Sequence, residues 1–539
     1  MTIELADLDH QSLKHQAEPP AGLAQPLPPP TDGTALRTTQ SRLQSHLPQP
    51  PRKSSRSWII IVQLAGINFI TSFTNGLLTV ALPTIASDLA LPPGLLVWPS
   101  SVYALTSGTC FLLAGSVADV VGPRAVNLTG CFFLAVFILA CGLSRTGLEL
   151  ILFRALQGVA SALVVPSSLS IVSAAVAAGR PRNLGFASLG LAMTMGFALG
   201  LVLGGVFVGT SGLGWRAGYY IGGALASALW LVGIWALPVV ATPQHLSETG
   251  AGAMKRLGAD IDWVGAVIAS AVLATFSYVL AMLSSDIAEI KKPTNIVLLA
   301  LSLLLIPVFV AWMHRQTSLH RPALIPNSIW KSLPFTSVSI MILLSTAVIN
   351  SMELYCSLYF QSVQHASPLS ASLRLLPSLL VGTAVNLTIG LVVHRVPAPL
   401  TVLLSSGLCA GAPLLMALLD PGWPYWYAEL GAQVLAPLSA DVLFTVGLIV
   451  VSDVFPPRTQ ALAGAVFNTL SMLGMSVGLT AMSVISTAVS AKGEGDGEDG
   501  ALLRGYRATF WACFAWMVAA CVVGAVGLRG IGRVGVKKD

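Results

Sequence analysis

Charge is what this chain has least of. Asp, Glu, Lys and Arg together make up 10% of its 539 residues, against about 25% in a soluble domain. So few charges cannot cover a globular surface, which excludes a water-soluble fold and leaves most of the surface to face lipid. Cysteine is sparse too: Cys110, Cys131, Cys141, Cys356, Cys409, Cys513 and Cys521 all lie in apolar stretches, with no CxxC pair. A disulfide framework is excluded, and these read as small packing residues. The eight histidines lie in tails, loops and helix ends without a metal-ligand pair. No Gly-rich phosphate loop with its Lys is present, which argues against ATP drive. No Ser–His–Asp set falls at one depth, so neither an enzyme nor a cofactor is expected. Lys and Arg are scattered between the apolar stretches, so the net charge of +6 gives no nucleic-acid signal.

What is abundant is apolar sequence: 54% hydrophobic residues and a mean hydropathy of +0.77. Crossing a bilayer takes about 20 apolar residues at roughly 1.5 Å each. Fourteen stretches qualify: 58–80, 97–118, 125–143, 149–172, 184–209, 218–240, 262–283, 294–313, 335–361, 371–393, 399–419, 429–451, 462–489 and 508–530. Runs this long can satisfy their backbone in lipid only as helices, and barrel strands would be half as long and alternate in polarity. An all-α membrane protein is expected. Residues 1–57 are polar and proline-rich and read as a disordered tail, so the first membrane helix must serve as the targeting signal. The glycosylation patterns at Asn127 and Asn386 sit at or within helices and are expected to go unused.

With the N-terminus in the cytoplasm, Lys and Arg divide 20 against 8 in favour of that side, with Arg154 inside a helix. The bias sets both termini in the cytoplasm and turns the acidic loop from Lys492 to Asp499 outward.

A short polar hairpin, Gly115-Ser-Val-Ala-Asp119-Val-Val-Gly122-Pro-Arg124, joins the second and third stretches. A related skeleton, Gly390-Leu-Val-Val-His394-Arg395-Val-Pro397, recurs in the second half. Both fall on the cytoplasmic side, which implies a duplicated architecture. The first hairpin resembles the cytoplasmic signature between helices 2 and 3 of the major facilitator superfamily. Arg154-Ala-Leu-Gln157-Gly158 through Pro166 is similar to its helix 4 signature, and Gly196-x3-Gly200-x3-Gly204-Gly205 to the glycine-rich helix 5 signature of its antiporters. Ala81-Leu82-Pro83 after helix 1, Trp215-Arg216 before helix 6 and Ile261-Asp262-Trp263 before helix 7 add to the match. With fourteen stretches the chain looks like the fungal drug/proton antiporters of the fourteen-helix type, over roughly residues 58–530. The resemblance implies six-helix halves at 58–240 and 335–530, two additional helices within 241–334, and a short tail at 531–539. It departs from the pattern at Leu201, where a Pro is usual, and at Thr74, where many relatives carry Asp.

The residues support specific roles. Asp119 ends helix 2 with Gly115 one turn earlier on the same face, where a small residue lets a neighbouring helix approach. Arg124 can reach acidic groups or the last carbonyls of a helix. With Gly122 these form a candidate gating latch between the halves, the alternative being a plain solvated turn. The helix 5 glycines, Gly196, Gly200, Gly204 and Gly205, form a packing stripe. A charge inside the membrane costs about 2.5–3.5 kcal/mol on insertion scales and marks a site. Arg154 lies about 8 Å from the outer end of its helix and either faces a cavity or snorkels. Gln157, nearly a turn on, shares its face, and the matching arginine of the family is implicated in proton handling. Glu353, among Asn350, Ser351 and Tyr355, and Asp441, near the middle of helix 12, are candidate proton carriers, since low dielectric perturbs a carboxylate. Asp441 is the deeper and preferred of the two; either one is alternatively a counter-ion for Arg154. Helix 1 offers Asn68, Thr74 and Asn75.

The expected function is proton-coupled efflux of small, largely apolar organic molecules, drugs or fungal secondary metabolites, by alternating access in a monomer. The cell membrane is the expected site, with a vacuolar or other internal membrane as alternative. A facilitator or importer of a small polar solute or ion is the rival, and a non-transporting membrane sensor the second.

Overall fold

Leu, Val, Ile and Ala runs of bilayer length leave the backbone no partner but itself, and the chain answers with helices. The computed structural model describes residues 54–176, 180–210, 212–238, 261–285, 291–319, 321, 323–325, 327–392, 397–454, 457–491 and 497–529. These form α1 (Ser54–Asp88), α2 (Trp98–Val121), α3 (Pro123–Leu143), α4 (Gly147–Ala175), α5 (Arg180–Thr210), α6 (Arg216–Ala236), α7 (Trp263–Ser285) and α8 (Pro293–Ser318). They continue as α9 (Leu333–Leu358), α10 (Pro368–Val392), α11 (Ala398–Leu418), α12 (Glu429–Leu435), α13 (Leu438–Val454), α14 (Pro457–Ser490) and α15 (Gly497–Gly527). No strand occurs among the described residues. Thirteen of these helical stretches are long and apolar enough to cross a membrane, α12 and α13 sharing one crossing; α7, apolar over Trp263–Phe276, stands at the seventh expected stretch.

The helices outrun the apolar windows. α1 continues to Asp88 and α15 starts at Gly497, because polar residues at a helix end are satisfied in the headgroup zone without breaking the hydrogen-bond ladder. Ala81-Leu82-Pro83 therefore lies inside α1, not after it.

Packing repeats across the chain. In the first half α1 packs on α5 and α6, and α4 on α2 and α3, with α3 also on α6; in the second, α9 packs on α14 and α15, the α12–α13 crossing on α10 and α11, and α11 also on α15. Two six-helix bundles result, and they meet where α2 crosses α14, α5 crosses α10 and α1 touches α9. The additional pair α7–α8 packs against α14 and α2. Asp262 holds the pair together. Its carboxylate accepts from Gly265 N (2.8 Å), opening α7, from Trp312 Nε1 on α8 (3.0 Å) and from Leu324 N (3.3 Å). Ile296, Val297, Leu303 and Leu304 of α8 stay exposed, as side chains facing lipid do.

Asp88 performs the corresponding service at the far end of α1. It accepts from Trp215 Nε1 at 3.0 Å and Arg216 Nη1 at 2.5 Å, while Arg216 Nη2 donates to Ser144 O at 3.2 Å. The Trp215-Arg216 motif thus ties α1 and the end of α3 to the start of α6. All seven cysteines are unpaired. Asn127 is fully buried and donates to Ser167 Oγ and Ser168 Oγ.

Candidate functional site

The site begins with Arg154 on α4. Gly158, one turn on, has no side chain to hold α4 off: a Cβ there would run into Thr106 and the Tyr103 carbonyl of α2. Thr106 Oγ1 closes the contact by donating to Ala155 O at 2.8 Å. This close approach brings the guanidinium to α2 and α1. Its Nε donates to Pro99 O (3.0 Å), Nη1 to Gln157 Oε1 (3.0 Å) and Nη2 to Asn75 Oδ1 (2.6 Å). Its carbon lies 4.4 Å from the centroid of the Tyr103 ring. Gln157 Nε2 donates on to Thr74 Oγ1 (2.9 Å), and Thr74 Oγ1 to Thr71 O (2.9 Å).

Arg154 is 0% exposed, so it does not snorkel. Neutral oxygens, not a carboxylate, hold it; none of the ion pairs among the described residues includes it. Hydrogen bonds to a charged group contribute about 1.5–3 kcal/mol each, and three of them outweigh an insertion cost of about 2.5–3.5 kcal/mol. A counter-ion is unnecessary. Thr74 fits this network because a hydroxyl both accepts from Gln157 and donates down its own helix.

Arg154 opens onto a small pocket of about 20 Å³ between the halves, room for a water-sized group in this closed arrangement. Asn75, Thr79, Ser100 and Phe197 line it from the first half, and Asn350, Glu353, Leu354, Met475 and Leu479 from the second. Arg154 and Glu353 share this space without an ion pair between them. Among the described residues no hydrogen bond holds the Glu353 carboxylate, whereas Asn350 Nδ2 is tied to Thr346 O at 2.8 Å.

Asp441 is elsewhere. The twelfth crossing breaks between Leu435 and Leu438, at Pro437, which has no N–H to continue the ladder. Asp441 therefore occupies the first turn of α13, still near the middle of the crossing that α12 and α13 share. Its Oδ1 accepts from Asn386 Nδ2 on α10 at 3.0 Å, and it is not among the pocket's lining residues.

The glycine stripe packs on α1. A Cβ at Gly196 would strike the Phe69 carbonyl of α1, one at Gly200 the Phe73 carbonyl, and one at Gly204 the backbone of Leu77. Gly205 faces the other way, against Leu369 at the start of α10.

The hairpin is built differently from the expectation. Gly122 has φ 102°, a left-handed backbone that only glycine enters freely, and it ends α2 and begins α3. Arg124 Nη2 donates to Ile234 O at 2.5 Å, closing the last turn of α6 within its own half. Among the described residues no helix lies against Gly115: a Cβ there meets open space. α2 instead meets α4 at Tyr103 and Thr106, and α14 at Gly108, which faces Met472 and Leu473. The side chains of Asp119, His394 and Arg395 lie outside the described residues, as do residues 1–53, 239–260 and 530–539 and the loop 492–496.

Sequence reasoning missed a second charged cluster. Arg374 Nη1 donates to Gln364 Oε1 and lies 3.7 Å from Glu429 Oε2, while Gln364 Nε2 donates to Glu429 Oε1 at 2.6 Å. Tyr425 Oη donates to Arg374 O at 2.7 Å. Arg374 and Glu429 stand near stretch ends, where a charge reads as a loop residue; their inclusion within apolar windows was the available signal.

The sequence matches the Major Facilitator Superfamily over residues 64–428. The chain belongs to that superfamily. It is 36% identical to MFS-type transporter 1 of Pyricularia oryzae over 97% of this chain and 90% of the relative. It is 27% identical to Efflux pump terG of Aspergillus terreus, covering 78% of this chain and 76% of that one. Among solved structures it is similar in fold to a bacterial homolog of the human lysosomal transporter Spinster, in an inward-facing and occupied conformation. There the TM-score is 0.62 at 14% identity, over 88% of this chain and 97% of that one. The chain is accordingly a multi-pass membrane transporter, and not an enzyme.

Proposed function

We propose that the chain exports small, largely apolar organic molecules in exchange for protons, by alternating access between the halves 58–240 and 335–530. One observation carries the reading. A single pocket takes Arg154 and Asn75 from one half and Asn350 and Glu353 from the other, so relative movement of the halves must change the environment of both charges. Phe197, Leu354, Met475 and Leu479 supply an apolar wall, which suits an organic cargo. Arg154 is satisfied within its own half, leaving Glu353 as the group able to take up and yield a proton. This shifts the preferred carrier from Asp441, which Asn386 engages, to Glu353. Positive-inside charge supports cytoplasmic termini and an outward-facing α1–α2 turn. The likeness to an efflux pump supports the direction.

In one cycle a protonated Glu353 meets the cytoplasm, loses its proton as cargo enters, and regains one from outside as cargo leaves. The network Arg154–Gln157–Thr74 stays intact and fixes one wall. Inside-out vesicles carrying the protein should concentrate a fluorescent organic dye such as rhodamine 6G when their lumen is acid. Accumulation that is unaffected by a protonophore would remove proton coupling. The rival, a facilitator of a polar solute, is favoured by the neutral polar lining of Asn75, Thr79, Ser100 and Asn350, and it predicts equilibration without concentration in the same vesicles.

A further inference from the structure

The α1 helix contains Pro83, and a proline has no N–H for the carbonyl four residues back. That carbonyl belongs to Thr79. It is not left bare: Ser357 Oγ, on α9 of the other half, donates to Thr79 O at 3.1 Å. Gln361 Nε2 donates to the next carbonyl, Val80 O, at 3.1 Å, and also to Ser357 Oγ at 3.0 Å. Ser357 and Val80 are both 0% exposed. Where α9 gives way to a π-helical turn over Tyr359–Val363, Gln361 is presented on the same side as Ser357. The end of this turn is anchored, since Gln364 is held by Glu429 and Arg374.

We infer that Pro83, Ser357 and Gln361 form the gate that closes the α1–α2 end of the pocket, with Pro83 as the positioning residue that prepares an acceptor for the opposite half. A buried carbonyl in a membrane must find a donor. With Pro83 in place, Thr79 O has two ways to do so: Ser357 with the gate shut, or water with the gate open and the pocket flooded. A dry, half-open arrangement satisfies neither. The proline thereby makes the gate two-state. The gate is joined to the pocket: Thr79 lines it, Thr79 Oγ1 donates to Asn75 O at 3.0 Å, and Asn75 holds Arg154. On α9, Glu353 lies one turn before Ser357 on the same face. Movement at either end of this face is felt at the other.

This gate presupposes alternating access, but neither a particular cargo nor proton coupling. Asn350→Cys provides a reporter in the pocket. Sealed vesicles of both orientations are treated with a membrane-impermeant maleimide, and modification of position 350 is read by peptide mass spectrometry, so the native cysteines do not interfere. With the gate residues native, labelling from the α1–α2 side is expected to be slow. Ser357→Ala or Gln361→Leu should raise it about 5-fold, the effect of losing the one hydrogen bond of about 1 kcal/mol that each makes across the halves. Ser357→Thr, which keeps the hydroxyl, should label at the slow rate. Pro83→Ala returns an N–H to Thr79 O, so it should itself raise labelling, and adding Ser357→Ala to it should raise it little further. Pro83→Gly restores the same N–H should the alanine variant fail to accumulate. Unchanged labelling in Ser357→Ala and Gln361→Leu would overturn the gate. An equal effect of Ser357→Ala whether Pro83 is native or replaced would overturn the role of the proline. Because no cargo or gradient is used, failure here and failure of gradient-driven export are separate results.

Discussion

In the first half α5 lays Gly196, Gly200 and Gly204 against the carbonyl-bearing face of α1; in the second, α14 lays Gly474 and Gly478 against Leu343 and Ala347 of α9. The same contact is made twice with the same device. The charged groups do not follow this repeat. In the first half one arginine is satisfied by neutral oxygens and an aromatic face. In the second, Asp441 is engaged by Asn386, Glu429 by Gln364 and Arg374, and Glu353 faces the pocket without a hydrogen bond among the described residues. Duplication explains the scaffold, and divergence within it explains the chemistry. One half supplies a fixed wall with a wired cation, and in the proposed cycle the other supplies the carboxylate that exchanges a proton.

Substitutions at the shared device should have the largest effect. Gly200→Val and Gly474→Val each drive a side chain into a backbone carbonyl of the neighbouring helix. Overpacking costs about 1–3 kcal/mol even where neighbours can yield, and a backbone yields less. Both variants are expected to lose most monodisperse protein in detergent, measured by size-exclusion chromatography, while Gly115→Ala, which meets open space, should match the native yield. Tolerance of only one of the pair would break the equivalence of the halves.

Next is the wired cation. Arg154→Lys keeps the charge but loses the fork that reaches Pro99, Gln157 and Asn75 together. Leaving buried acceptors unsatisfied costs about 1–3 kcal/mol, so transport in vesicles should fall about 10- to 100-fold, with protein still accumulating. Native transport in Arg154→Lys would reduce the residue to a simple charge. The smallest effect belongs to the hairpin. Arg124→Ala removes a cation from the end of α6, which contributes about 0.3–1 kcal/mol. A drop of a few degrees in thermal stability with transport retained is expected, whereas abolished transport would restore an inter-half latch.

Much of this was legible in the sequence, because lipid imposes one solution on long apolar runs. The fourteen stretches, a glycine packing stripe on one helix face and the shared face of Arg154 and Gln157 follow from length and helical period alone; that the stripe meets α1 does not. What escaped depends on contacts between distant segments. Gly115 has the small side chain of a packing position but no helix beside it, and spacing within one helix cannot report that. The break at Pro437 just ahead of Asp441 is invisible in a continuous apolar run. Pro83 looks like a helix end, since nothing in α1 itself shows that its missing donor is replaced from α9. Arg374 and Glu429 were hidden by their position near stretch ends.

The most direct test of the asymmetry needs no knowledge of cargo. Proteoliposomes on a solid-supported membrane are given a pH jump, and the charge displaced as protons bind is recorded for the native chain, Glu353→Gln and Asp441→Asn. The account predicts a transient in the native chain and in Asp441→Asn, and its loss in Glu353→Gln. An undiminished transient in Glu353→Gln would contradict it.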